Sequence, residues 1–462
     1  MSTIATKLIE GFEGETIVPG DSDYEQARRL WNGMIDRRPA VIARCTSTDD
    51  VKAAIAYARR NELPLAVRCG GHSLPGRSVV DDGVVIDLRL MNRVIVDVEG
   101  RRVRAQGGCL LRNVDVATQE HGLMTPAGAV SHTGLGGLVL GGGVGHLMRR
   151  HGLSVDNLVS AEMITAEGEI LRASADEHPE LFWALRGGGG NFGVVTEFEM
   201  TLHERGPLYV GMTLHRLEQA AEVLDLWHEV TVGAPDDLHW MSVLRRMPDL
   251  PWVPRELVGE RVILSPVLWT GDAAEGPERL APVLDRLERI GAAVRNGFEL
   301  SYVELQSGWD EIMVHGRMNF HKAGFLKPDR IGDALPAVLE QAMVMGSPWS
   351  LIELLPMGGA VTRVASDATA FPYRDAGCAY NVIGMWEKDV PNDTNIAWVR
   401  ETYDALQPFS TGGVYVNYMG GDESGGDESA YAGETYERLQ RIKAQYDPEN
   451  LFSHNANVTP KS

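Results

Sequence analysis

The chain has 462 residues, of which 44% are apolar and 23% charged, and 43 Lys and Arg stand against 64 Asp and Glu for a net charge of −21. This describes two or three globular domains with ample core and excludes a disordered chain; the acidic balance, with no Lys/Arg cluster, excludes nucleic acid as a partner. Four cysteines (Cys45, Cys69, Cys109, Cys378) with no CxxC pair exclude a disulfide framework.

The opening residues, MSTIATKLIEGFEGE, carry acids where a secretory signal needs an apolar core, so a soluble cytoplasmic protein is expected. Ser47-Thr-Asp-Asp50 resembles a capping box, and Val51, Ala54, Ile55 and Ala58 follow at helical spacing. Leu63 to Val67 reads as a strand running into Arg68-Cys-Gly-Gly-His72-Ser. Strand-like runs follow at Val84–Leu88, Val94–Val98 and Arg101–Gln106, the last two joined by a hairpin at Glu99-Gly100. A helix from about Leu111 ends at Gly122. Gly122 to Met148 holds no Asp, Glu, Lys or Arg and is long enough to span a bilayer, but nine of its residues are glycine, which predicts a loop system instead. Ala161–Thr165 and Glu169–Ala173 form a second hairpin about Ala166-Glu-Gly168, and Gly187–Gly190 leads into the strand Val194–Met200. Beyond Gly206 the glycine runs stop and amphipathic stretches appear (Leu217–Val230, Leu280–Ile290, Ile331–Met345), which predicts a second α+β domain. Near Gly412 the texture changes back, with a strand Val414–Met419 and a helix from about Glu434 to Tyr446.

Residues 66 to 145 contain sixteen of the 51 glycines. Gly70-Gly71 after a strand and Gly134 to Gly145 expose backbone N–H groups suited to a phosphate, yet neither fits the Rossmann fingerprint. Two such loops suit one pyrophosphate held outside a Rossmann fold, or simply join strands. His72 is a polar loop residue or a functional one. Cys69 and His72 form a Cys-x-x-His pair without a second pair to complete a zinc site, and His132, His146 and His151 lack i, i+4 spacing, so no metal is expected. In a strand, Tyr415 and Asn417 share one face and Tyr418 the other; the tyrosines are a packed pair, or one of them is a base. Tyr380, in the strand-like Cys378–Met385, is a second candidate. Trp252, Trp269, Trp309 and Trp386 line an aromatic pocket or belong to the core.

Together these segments resemble the berberine-bridge-enzyme-like branch of the vanillyl-alcohol-oxidase superfamily of flavin-linked oxidases. The resemblance runs from about Arg38 to Glu204 and from Ala376 to Pro460, with Asn319–Leu326 between. It rests on Arg68-Cys-Gly-Gly-His72-Ser73, Gly136-Gly137 with Gly141–Gly145, His151-Gly-Leu153 with Asp156-Asn157, and Gly188-Gly-Gly-Asn191-Phe-Gly193-Val-Val195-Thr. At the C-terminus it rests on Tyr415-Val-Asn417-Tyr418, Tyr446-Asp-Pro448-Glu-Asn450-Leu-Phe452 and Asn455-Ala-Asn457-Val-Thr-Pro460. The tail and the start of the chain look like 6-hydroxynicotine oxidases.

The resemblance implies an α+β architecture in three segments. Residues 1–205 would form an FAD-binding domain of the p-cresol methylhydroxylase type, 206–411 a substrate domain with an antiparallel sheet, and 412–462 a tail returning to the FAD domain. It implies FAD bound by Arg68, Cys69, Gly70, Gly71, His72, Ser73, Thr133, Gly136, Gly137, Gly142, Gly143, Gly145, Leu153, Asp156, Asn157, Val195, Tyr415 and Asn417. His72 matches the histidine bonded to the flavin 8α-methyl carbon. Val130 stands where many plant members have a second, cysteinyl attachment, so a single link is implied. Tyr418 matches the general base and Tyr380 falls near a second active-site tyrosine; Thr133 matches a position where a small residue leaves room for oxygen. The implied activity is hydride transfer from a C–OH or C–N bond of a small cyclic or natural-product substrate to flavin N5, with O2 as acceptor and H2O2 as product. A silent flavin-binding sensor or carrier and an NAD(P)H-dependent reductase are the alternatives. No membrane partner is expected, and a homodimer is the assembly to test.

Overall fold

The structure, a computed structural model, describes residues 8–422, 426–431 and 433–461. The Ser47 hydroxyl accepts the Asp50 amide at 3.2 Å and starts the helix Thr48–Arg60. Its buried stripe is the expected Val51, Ala54, Ile55 and Ala58. Beneath it lies a four-stranded sheet in which Val41–Arg44, Val84–Asp87 and Leu65–Arg68 run parallel, with Glu15–Ile17 antiparallel at one edge.

A second sheet is wholly antiparallel, in the order Val94–Asp97, Arg102–Gln106, Val194–Thr201, Leu158–Ile164, Ile170–Ser174. Its two outer pairs are the hairpins read from the sequence. The glycine-rich stretch departs from the loop expectation. Leu135–Gly141 is helical, because Leu135, Val139 and Leu140 have a core to enter, and the chain leaves that helix at Gly142 with φ at 139°.

The third sheet has eight strands. Seven lie in the order Val294–Leu300, Leu208–Arg216, Arg261–Trp269, Ser242–Arg246, Leu351–Pro356, Cys378–Trp386, Met318–Leu326, and Leu238–Trp240 also pairs with Arg261–Trp269. The helices Ala220–Thr231, Gly276–Ile290, Ile331–Val344 and Asn392–Leu406 cover one face through Val223, Trp227, Leu284, Leu335, Val338 and Val399. Strand alternation divides the side chains cleanly. Ile352, Leu354, Tyr380 and Val382 go to the helices, while Leu351, Leu355, Ala379 and Ile383 go to the opposite core, which the sheet shares with Trp31, Met148 and Tyr415.

The C-terminal segment corrects a second expectation. Val416–Tyr418 is a turn of 3-10 helix, not a strand, so Tyr415 and Tyr418 fall on one side with ring centroids 4.9 Å apart. The helix Gly433–Tyr446 then packs Leu439 and Ile442 against Leu185 and Phe192, returning the tail to the second sheet. Trp269 and Trp386 are core residues, Trp252 is exposed and Trp309 faces the cavity described below. Among the described residues no helix is long and apolar enough to cross a membrane.

Candidate cofactor and substrate site

Between the glycine segments and the open face of the eight-stranded sheet lies a cavity of about 340 Å³. One wall is backbone. A Cβ on Gly134 would stand 2.3 Å from the Gly70 nitrogen, and one on Gly70 would stand 2.4 Å from the Gly134 nitrogen. The two loops therefore touch where neither tolerates a side chain. Gly71 turns the chain with φ at 73° just before His72, and a Cβ on Gly137 would project into the cavity with no atom within 4 Å. A third glycine run adds Gly189 and Gly190, held to the tail by Asn455, whose Nδ2 donates to the Gly190 carbonyl at 3.0 Å.

His72 lies where the walls meet. Its ring stacks on Trp31 at 5.1 Å between centroids, and its Nε2 is 2.7 Å from His132 Nδ1. His315 stands edge-on at 5.7 Å. Ring nitrogens of the three histidines lie within 4.8 Å of one another, a cluster that no sequence spacing announces. Burial, then the neighbouring His132 and His315, hold His72 well below the usual histidine range, which leaves a neutral ring with one nitrogen lone pair.

The other wall is the sheet. Glu353 and Asn381 are direct cross-strand partners, and both face the cavity with Leu351, Ile383 and His321. Burial pushes the Glu353 carboxyl up to about 7, with a hydrogen bond from Asn381 opposing. Tyr418 lines the same space; burial, then the Glu353 charge, hold its phenol well above its ordinary value. Tyr415 accepts the Gly143 amide at 2.8 Å, and Asn417 donates to the Leu138 carbonyl at 3.1 Å, which ties this turn to the glycine wall.

Of the residues implied by resemblance, Cys69, Gly70, Gly71, His72, Ser73, Thr133, Gly136, Gly137, Val195, Tyr415, Asn417 and Tyr418 line the cavity. Cys69 does so as a protonated thiol, pushed up to about 11 by burial and donating to the Cys109 carbonyl at 3.3 Å. Others lie outside the lining and have structural surroundings. Arg68 is buried and donates to the Ala27 and Arg29 carbonyls. Gly142 packs on Phe371 and Tyr415, Gly143 on Ser154, and Gly145 on the Ala127 carbonyl. Leu153 is core; Asp156 forms a buried two-point ion pair with Arg374 at 2.7 Å, and Asn157 ties down the His151 and Leu153 carbonyls. Tyr380 points the other way, into the helix-covered core, where its hydroxyl accepts from Gln407 at 3.0 Å. One position along the strand decides this: Asn381, not Tyr380, has the cavity face. Sequence reasoning did not find Glu353, Asn381 or His315, because none belongs to a motif; only their strand and loop neighbours in space give them a site.

The FAD binding domain family matches residues 39–174, and the berberine and berberine-like family matches residues 414–459. The chain is 32% identical to (R)-6-hydroxynicotine oxidase of Paenarthrobacter nicotinovorans, covering 100% of this chain and 99% of that one. It is 40% identical to the FAD-linked oxidoreductase pgmH of Aspergillus terreus, covering 94% and 90%. The crystal structure of 6-hydroxy-D-nicotine oxidase from Arthrobacter nicotinovorans superposes with a TM-score of 0.84 at 28% identity, covering 99% and 100%. Berberine bridge enzyme from Eschscholzia californica shares the fold, with a TM-score of 0.84 at 23% identity over 97% of each chain. The residues fit a flavin dinucleotide. Glycine backbone that no side chain screens suits its diphosphate, and the sheet wall offers apolar faces with few polar groups to a planar ring.

Proposed function

This chain belongs to the FAD-linked oxidoreductases that join an FAD binding domain to a berberine-like C-terminal domain, and we propose that it oxidises a small cyclic or natural-product substrate at a C–OH or C–N carbon, with dioxygen as electron acceptor. The observation that carries this reading is the single cavity shared by the glycine wall, His72 and the Glu353–Asn381–Tyr418 group. In this reading the glycine segments about Gly70 and Gly137 hold the diphosphate of FAD, and His72 makes one covalent bond to the flavin. Val130 provides no second bond.

Bound FAD would supply the two-electron acceptance that this oxidation requires. The protein's part is to seat the substrate and to take its proton. Glu353, whose carboxyl burial raises to about 7, is the group that accepts the proton from a substrate hydroxyl or amine. Asn381 orients that carboxyl. Tyr418 keeps its own proton beside Glu353 and donates a hydrogen bond to the substrate heteroatom; a phenolate there would face the Glu353 carboxylate. Leu351, Ile383 and Trp309 exclude water from the reacting carbon.

The test is an anaerobic screen of cyclic amines and alcohols against the purified yellow protein. A substrate should bleach the flavin, and admitted oxygen should restore the colour with one peroxide per turnover. Bleaching by NADPH alone, or by no alcohol or amine at all, would contradict the proposal in favour of a reductase or a silent flavoprotein.

A further inference from the structure

His132, half-buried beside His72, has no task in the proposed reaction. Its Nδ1 is 2.7 Å from His72 Nε2, and its Nε2 is 3.9 Å from Asp310 Oδ1. Asp310 is itself fixed, accepting from the Ser131 amide at 3.0 Å and the Ser131 hydroxyl at 2.5 Å. Burial holds the His132 ring below the usual histidine range, Asp310 and a hydrogen bond to the Met313 backbone favour its protonation, Arg112 opposes it, and His72 and His315 are its ring neighbours. Contacts thus pass from His72 to His132, with the Asp310 carboxylate 3.9 Å beyond it. Trp31, stacked on His72 and anchored by its indole N–H to the Met313 carbonyl at 2.7 Å, fixes the ring plane. The other nitrogen of His72, Nδ1, has no hydrogen-bond partner among the described residues.

We infer that His132, backed by Asp310, is a positioning residue that sets the tautomer of His72 and takes its Nε2 proton while Nδ1 bonds to the flavin 8α-carbon. The inference rests on the reading that His72 carries the flavin. A neutral imidazole has one N–H and one lone pair. With the Nε2 hydrogen directed at His132 Nδ1, the lone pair is at Nδ1, on the ring edge left open. Bond formation at Nδ1 would leave a cationic ring, and removal of the Nε2 proton by His132 relieves it; Asp310 offsets the charge that His132 acquires. The overall change balances. The His72 ring loses its N–H, the flavin 8α-methyl loses one C–H, the Nδ1–C8α bond forms, and the two hydrogens with their electrons reduce one dioxygen to hydrogen peroxide. Once the bond exists, His132 presents its Nδ1 hydrogen to the now unprotonated Nε2, so the 2.7 Å contact survives with donor and acceptor exchanged.

The experiment is to add FAD in air to full-length protein expressed without flavin, and to follow the colour that stays with the chain after acid precipitation. His132→Ala should bind FAD yet attach it about 100-fold more slowly than wild type. Asp310→Asn should slow attachment by about 10-fold. Added imidazole should restore much of the rate to His132→Ala, an effect that mere loss of packing would not show. Wild type should yield one peroxide per attached flavin, and the isolated flavin peptide should carry its bond at Nδ1. Attachment at the wild-type rate in both variants, no response of His132→Ala to imidazole, or a bond at Nε2 would overturn the inference while leaving the His72 link standing. A wild-type protein that releases all its flavin in acid would instead remove the reading beneath it. Should His132→Ala fail to fold, Asp310→Asn and the position of the bond decide.

Discussion

Gly70 and Gly134 meet across a gap too narrow for a methyl group, whereas Glu353 and Asn381 reach the same cavity from strands whose alternate side chains belong to a helix-covered core. The first wall is backbone, and its specificity lies in what is missing; the second is side chain, and its specificity lies in which face each residue takes. An FAD-linked protein can keep the first wall and change its substrate through the second. The difference also says where substitutions should be severe and where they should be selective.

The largest effect is expected on the glycine wall. Gly134→Ala must push one loop off the other, at a cost of about 3 kcal/mol or more. The protein should melt earlier and bind FAD weakly, which a thermal scan with and without added FAD will read. Gly137→Ala adds its methyl to open space, so fold stability should hold while FAD affinity falls. Equal loss of stability in both variants would break the distinction drawn between a loop contact and a ligand contact.

The sheet wall should respond in rate instead. Glu353→Gln should slow anaerobic flavin reduction by about 100-fold with little change in FAD content. Because the Glu353 base form appears as pH rises through about 7, the wild-type rate should climb between pH 6 and 8, and the variant should lose that step. The sign for stability is opposite. A carboxyl whose folded value is raised from 4.5 to about 7 ionises first in the unfolded chain, so the FAD-free protein should lose stability from pH 4.5 to 7. Glu353→Gln should flatten that decline. A pH-independent wild-type rate would return the base role to Tyr418.

The smallest effect sharpens the same comparison by one residue. Tyr380→Phe should cost about 1 kcal/mol through the lost Gln407 hydrogen bond and leave the reduction rate alone. Asn381→Ala, next along the strand but facing Glu353, should slow reduction by about 10-fold.

The two walls differ in how much of them the sequence discloses. The glycine wall is local: Gly70, Gly71, His72, Gly136 and Gly137 sit in short segments whose composition and order already mark a cofactor loop. The capped helix at Thr48 and both hairpins were readable for the same reason. Glu353 was not, because its role depends on a cross-strand partner 28 residues away and on which strand face turns inward. Tyr380 lies one step of that alternation away from the cavity face. Alternating residues suggest a strand with Tyr415 and Tyr418 on opposite faces; the 3-10 turn, with a period of three, brings both rings to the cavity. His132 and His315 share no motif with His72, and only the fold assembles the three.

His72 is the proposed point where cofactor and chain are joined, and acid precipitation of the purified protein tests that most directly. Denatured wild type should keep its yellow colour and the fluorescence of bound flavin, and His72→Ala should release all of it. Complete release from the wild-type chain would contradict the account and leave FAD held by the glycine wall alone.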